Sequence, residues 1–139
     1  MWPFGPKQPT SGDRASSGRR GEELAARFLR RLGWRILARN YRCPAGEADI
    51  VALIPSGREG AGRADVVVFV EVKTRSPDQL AAPESAVDAR KREHIFQVAQ
   101  YYTAQHADYR FDVRFDVVSV ILPPAGPPQI NHIPDAFQA

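Results

Sequence analysis

The chain has a single cysteine, Cys43, and only three histidines, His94, His106 and His132, scattered along it. A lone cysteine excludes an intrachain disulfide and points to a reducing compartment, the cytoplasm. With so few sulfur and imidazole ligands, no zinc constellation can be assembled. Long apolar runs are also lacking. None exceeds the five residues of 66–70, far short of a membrane span, so no membrane partner is expected. Pro3, Pro6 and Pro9 punctuate an N-terminus without the apolar core of an export signal, and residues 1–18 read as a disordered arm. The Gly-rich stretch 57–62 lacks the Gly-Lys-Ser/Thr ending of a phosphate-binding loop and reads as a flexible hairpin. A basic excess is missing where it would matter. The net charge of +3 resides in residues 1–20, and the remaining fifteen basic and fifteen acidic side chains balance.

What is there is distributed unevenly. Residues 27–42 hold six arginines and no acid, whereas acids gather at Glu47, Asp49 and Glu71. Cations that hold a polyanion beside carboxylates that hold a metal are what a phosphodiester site needs. The blander alternative is a solvated helix face beside a strand edge.

At 139 residues, 43% of them hydrophobic, the chain fills one core without covalent staples, and residues 19–139 are expected to form one domain. Leu24, Phe28 and Leu32 recur at helical spacing within a predicted helix 20–33, and Gly33 is its natural stop. Strands are predicted at 34–42, 47–54 and 65–73, with a turn at 43–46 and a long hairpin loop at 55–64. The third is the clearest, because five consecutive apolar residues before Glu71 call for burial on both faces, hence a central position. A helix is predicted at 84–106, with Ser85 and Asp88 as a capping box and Val87, Ile95, Val98 and Tyr102 as its stripe. A strand at 110–122 and a short edge strand at 129–133 complete an α-β-β-β-α-β-β order. That order predicts an α/β fold with a mixed central sheet flanked by helices, in which the second helix crosses over to a parallel strand.

The chemistry concentrates at Glu71-Val72-Lys73. Period-two alternation puts Glu71 and Lys73 on one face with Val67 and Phe69, where ionisable groups require a partner or a metal. Asp49, sharing a face with Val51 and Leu53, is expected to approach Glu71 across a hairpin ladder. Two carboxylates so close repel, and a hard cation such as Mg²⁺ or Mn²⁺, one ion or two, relieves the penalty. Asp49 and Glu71 are therefore the candidate metal ligands, and Lys73 the group that positions water or stabilises the transition state. Arg75 and Lys91 are candidates for flanking phosphates, with Arg42 in the arginine-rich segment beside them. Glu23 and Glu47 are candidate auxiliary carboxylates. Arg114 and Asp116 share a strand face, where a structural ion pair is the default. Cys43 has no visible base beside it and reads as structural.

Taken together, Arg19-Arg20-Gly21-Glu22-Glu23-Leu24-Ala25-Ala26, Asn40-Tyr41-Arg42, Gly46-Glu47-Ala48-Asp49-Ile50-Val51, Phe69-Val70-Glu71-Val72-Lys73-Thr74-Arg75, Lys91, Arg114-Phe115-Asp116-Val117-Val118 and Ala136-Phe137 resemble the YraN-like family of bacterial proteins. The resemblance spans about residues 19–137. It implies a PD-(D/E)XK restriction-endonuclease-like core, similar to that of archaeal Holliday-junction resolvases. It matches Asp49, Glu71 and Lys73 to the motif's Asp, Glu and Lys, and Glu23 to the acidic position of the first helix. Either acid of Gly46-Glu47-Ala48-Asp49 remains open as the metal ligand, and the loop 55–64 is longer than the family's usual connection. The implied activity is metal-dependent hydrolysis of DNA, with branched or damaged structures as the implied substrates. A homodimer would suit cutting of both strands. A nucleic-acid-binding protein that does not cut, and a protein-interaction domain on an inherited nuclease scaffold, are the competing classes.

Overall fold

A computed structural model describes residues 12–78 and 88–138. The elements run in the order α1 (Gly12–Arg31), β1 (Arg35–Cys43), β2 (Gly46–Ile54), β3 (Asp65–Arg75), α2 (Ala89–Gln105), β4 (Phe111–Ile121) and β5 (Gln129–Ile133). They form one five-stranded sheet in the order β1-β2-β3-β4-β5. β3 and β4 pair in parallel, and the other neighbours are antiparallel. This is the mixed α/β sheet of a restriction-endonuclease-like core, with α2 as the crossover between the parallel strands.

Each face of the sheet has its own core. On one side α1 contributes Ala25, Ala26 and Leu29 against Ile50, Ala52, Val66, Val68, Val70, Val118 and Val120. On the other α2 contributes Ile95, Val98, Ala99 and Tyr102 against Val51, Val67, Phe69, Phe115 and Val117. β3 is buried on both faces from Val66 to Glu71, which is why its sequence does not alternate. The Phe69 ring meets Tyr102 edge-on at 5.6 Å, so truncation of Phe69 to Ala should cost about 3–5 kcal/mol.

The helices differ from expectation at their starts. α1 begins at Gly12, so the expected arm is helical over residues 12–18, and residues 1–11 lie outside the described residues. Its buried face is Ala25, Ala26 and Leu29, while Leu32, expected in the stripe, is 42% exposed. Its end is as anticipated. Gly33 adopts φ 88°, its N–H donates to the Arg30 carbonyl at 2.9 Å, and the Trp34 N–H donates to Leu29 at 3.2 Å. That pair of bonds is a Schellman motif, with Trp34 and Leu29 supplying its apolar contact. α2 begins at Ala89 rather than 84. Asp88 is itself the N-cap, its carboxylate accepting the Lys91 N–H at 2.9 Å. Ser85 and Val87 lie outside the described residues.

Two local features shape the upper end of the sheet. An added Cβ at Gly21 would sit 1.9 Å from the Thr74 hydroxyl, so α1 packs directly on β3 where only glycine fits. Asn40, at φ 52°, interrupts β1 between the pairs Arg39↔Ile50 and Tyr41↔Ala48. Asparagine is among the few side chains that accept this left-handed region. Opposite it the alternation of β2 breaks: Ala48 and Val51 both pack toward α2, while Ile50 packs toward α1. Asp49 therefore sits at a break rather than on a regular face with Val51 and Leu53.

Candidate metal and phosphodiester site

The β2–β3 pairing ends at Ile50↔Val70, one residue short of Asp49 and Glu71. Beyond that point the Asp49 side chain replaces the missing backbone acceptor, its Oδ2 taking the Val72 N–H at 2.9 Å. The carboxylate is thereby fixed where the strands part. This bond engages one of its two oxygens.

Glu71 is 5% exposed. Burial, then the charge of Asp49, push its pKa up to about 7, against the pull of Lys91 and Lys73. The Lys91 ammonium reaches from the first turn of α2 to within 3.2 Å of Glu71 Oε2. Lys73 is also half-buried and within hydrogen-bonding reach of Lys91. Burial and that neighbouring ammonium lower its pKa to about 8, although Glu71 and Asp49 oppose the shift. Burial works against the charge of Lys91 as well, but Glu71 and Lys73 outweigh it and raise its pKa. Asp49, Glu71, Lys73 and Lys91 thus form one electrostatic unit.

In front of this unit lies a cleft of about 630 Å³, walled by Glu22, Asp49, Lys73, Thr74, Arg75 and the first half of α1 at Ser17 and Gly18. Glu71 and Lys91 are not part of its wall. Glu22, unlike Glu23, faces the site. Burial, then Asp49, raise its pKa, while the Asn40 side-chain amide hydrogen-bonds it. Glu23 turns outward to Arg39 at 2.6 Å and Arg27 at 3.3 Å. Glu22, not Glu23, lines the cleft. A signal for this was present: Glu22, Ala25, Ala26 and Leu29 follow i, i+3, i+4, i+7 spacing, which puts Glu22 on the sheet-facing side. Glu47 and Arg42 are cross-strand partners, 3.3 Å apart. Glu47 lies within electrostatic reach of Glu22 but is not brought into the unit with Glu71. Arg75 does reach the cleft.

Among the described residues, no three His, Cys, Asp or Glu side chains converge as a group that could hold an ion by themselves. The donor set is two carboxylates, Asp49 and Glu71, with Glu22 near the first of them. Carboxylate oxygens are what hard divalent ions take, and Mg²⁺ characteristically keeps several waters around one or two protein carboxylates. The suppressed ionisation of Glu71 is the penalty such an ion would remove, so the residues fit it. Cys43 is buried in the α2-side core, away from this chemistry. Among the described residues no helix is long and apolar enough to cross a membrane.

The profile of the Uncharacterised protein family UPF0102 matches residues 21–120, which include every element from the last part of α1 through most of β4. A UPF0102 protein of Pelobacter propionicus is 38% identical over 133 residues, covering 96% of this chain and 90% of its own length. One of Nocardia farcinica is 42% identical over 126 residues, covering 91% and 92%. One of Frankia alni is 43% identical over 120 residues, covering 86% and 92%.

Proposed function

From its membership of UPF0102, the YraN family, to which this chain belongs, and from the chemistry of its site, we propose that the protein is a divalent-metal-dependent phosphodiesterase acting on nucleic acid, DNA in the first instance. The observation that carries the reading is Glu71: a carboxylate 5% exposed, on the central strand, whose ionisation is opposed by burial and by Asp49. A group in that state is costly to the fold and is explained by a cation that it serves.

Asp49 and Glu71 would hold the ion, Mg²⁺ or Mn²⁺, with Glu22 beside Asp49 as a further carboxylate at the cleft. The bound ion supplies a water of lowered pKa and neutralises charge on the phosphate. Lys73, with its pKa brought to about 8, orients the attacking water and donates to the phosphoryl oxygens as charge builds. Arg75 on the cleft wall holds a neighbouring phosphate. The Val72 N–H keeps Asp49 in place throughout.

The second reading is a nucleic-acid-binding protein that does not cut. It is favoured by one observation: the described residues supply two carboxylates to the site and no converging third. Incubation with duplex, single-stranded and four-way DNA, with Mg²⁺, Mn²⁺ or EDTA, separates the two. The enzyme reading expects metal-dependent cutting that disappears in Asp49→Ala/Glu71→Ala. Cutting that persists in that double variant refutes it. Salt-sensitive binding with no cleavage in any metal establishes the second reading instead.

A further inference from the structure

Lys91 stands apart from the other basic residues near the site because of where it comes from. The carboxylates and Lys73 belong to β2 and β3, whereas Lys91 enters from α2, with its backbone N–H fixed by the Asp88 cap. Its ammonium sits 3.2 Å from Glu71 Oε2, with its side chain 41% exposed against 6% for Glu71. The two partners therefore differ in freedom. Glu71 is held in the sheet and has nowhere else to put its charge. Lys91 has a long flexible stem and solvent beside it, so it can leave at small cost.

The charges make that departure necessary. With Lys91 in place, Glu71 already has a cation against one carboxylate oxygen. A divalent ion on Asp49 and Glu71 would balance both carboxylates alone and would face the Lys91 ammonium across a few ångströms, a repulsion that is strong in a half-buried setting. The ammonium must then find another anion. Lys91 is not itself on the cleft wall, but its ammonium lies within hydrogen-bonding reach of Lys73, which is, so the phosphates of a polyanion in the cleft are the anions nearest to it.

We propose that Lys91 is a tethered counter-cation that occupies Glu71 in the metal-free protein and passes to a substrate phosphate when the divalent ion binds, so that metal and nucleic acid bind cooperatively through one side chain. This rests on the metal-site reading given above. It assigns Lys91 a positioning role, and its consequences appear in binding as well as in turnover. Removal of the ammonium takes away a competitor for Glu71. It also takes away the link by which phosphate frees that carboxylate, since any ligand that draws Lys91 off Glu71 favours the metal by the same factor that the metal favours it.

The test is calorimetric titration of Mn²⁺ at pH 8 into wild type, Lys91→Met, Lys91→Gln and Glu71→Gln, each with and without a cleavage-resistant phosphorothioate duplex. The glutamine at position 91 keeps a polar side chain without charge, and provides a second variant should the methionine one fold poorly. Without DNA, the Lys91 variants should bind Mn²⁺ roughly tenfold more tightly than wild type. DNA should tighten Mn²⁺ binding in wild type by a larger factor than in either variant. Equal or weaker Mn²⁺ binding by both Lys91 variants overturns the proposal, as does the same gain from DNA in all of them. If wild type binds Mn²⁺ and Glu71→Gln does not, such a result removes the counter-cation alone and leaves the metal site standing. If Glu71→Gln binds as wild type does, or if no protein takes up the ion, the site and this inference fall together.

Discussion

Asp116 on β4 and Glu71 on β3 are both buried carboxylates, one on each face of the same sheet, and their surroundings treat them in opposite ways. Asp116 is fully buried and surrounded by partners. Arg114 donates to both of its oxygens, at 2.9 and 2.8 Å, the Asp135 N–H donates to one at 2.9 Å, and His132 Nε2 lies 2.7 Å from the other. The arginine is in turn stacked over Trp34, and His132 packs edge-on against Trp34 and Phe28 of α1. Burial alone would raise its pKa, but these hydrogen bonds outweigh it and hold the carboxyl below its ordinary value. Glu71 has one ammonium at 3.2 Å and another carboxylate nearby, and its pKa rises. A buried acid whose every lone pair is met is a structural fastening; one left short of positive charge keeps a raised pKa, and on the reading proposed above it is where the cation would bind.

The largest effect is expected at Asp116. Its replacement by Ala leaves the Arg114 guanidinium and the Asp135 N–H without their acceptor in a dry setting. The expected loss is about 3–5 kcal/mol in urea unfolding. A loss below about 1 kcal/mol would mean the network is ornamental and the contrast false.

A smaller effect is expected in the pH dependence of stability, where the two acids give opposite slopes. A lowered folded pKa means that Asp116 contributes stability above its unfolded value of about 3.8 that is lost as pH falls through the folded one. A raised folded pKa means that metal-free Glu71 binds a proton more readily folded than unfolded. Stability is then lost as pH rises from 4.5 to about 7. In EDTA, Glu71→Gln should remove that second decline and recover on the order of 1–3 kcal/mol at pH 8 relative to wild type. Identical pH–stability curves for the two proteins would show that Glu71 is not strained.

The finest distinction lies between adjacent glutamates. Glu22→Gln should weaken Mn²⁺ binding severalfold, since Glu22 stands beside Asp49 at the cleft, whereas Glu23→Gln should leave it unchanged. Calorimetric titration of both variants decides this, and the reverse order would return the auxiliary role to Glu23.

Those two glutamates also mark the limit of what the sequence made legible. The apolar run of β3 and the Glu71-Val72-Lys73 that ends it were readable, because a strand buried on both faces leaves an unmistakable apolar block. The parallel crossover through α2 and the stop at Gly33 followed from equally local rules. The phase of α1 did not. Its buried face is built from Ala25 and Ala26, whose small side chains carry a weaker hydrophobic signal than Leu24, Phe28 and Leu32 beside them. Adjacent helical residues point about 100° apart, so an error of one position exchanges the site-facing acid for a solvent-facing one. Likewise strict alternation puts Asp49 on a regular strand face, whereas the left-handed Asn40 across the ladder takes that position out of step.

Element order, the central strand, the mixed sheet and the residue types of the candidate site follow from propensity and period along the chain. Which acids meet, that Lys91 is the cation against Glu71, and that Asp116 is closed while Glu71 is not, come from the folded arrangement. Those outcomes depend on the distance and burial of groups far apart in sequence, and electrostatic energy is set by separation in space and access to water, neither of which is written in residue order.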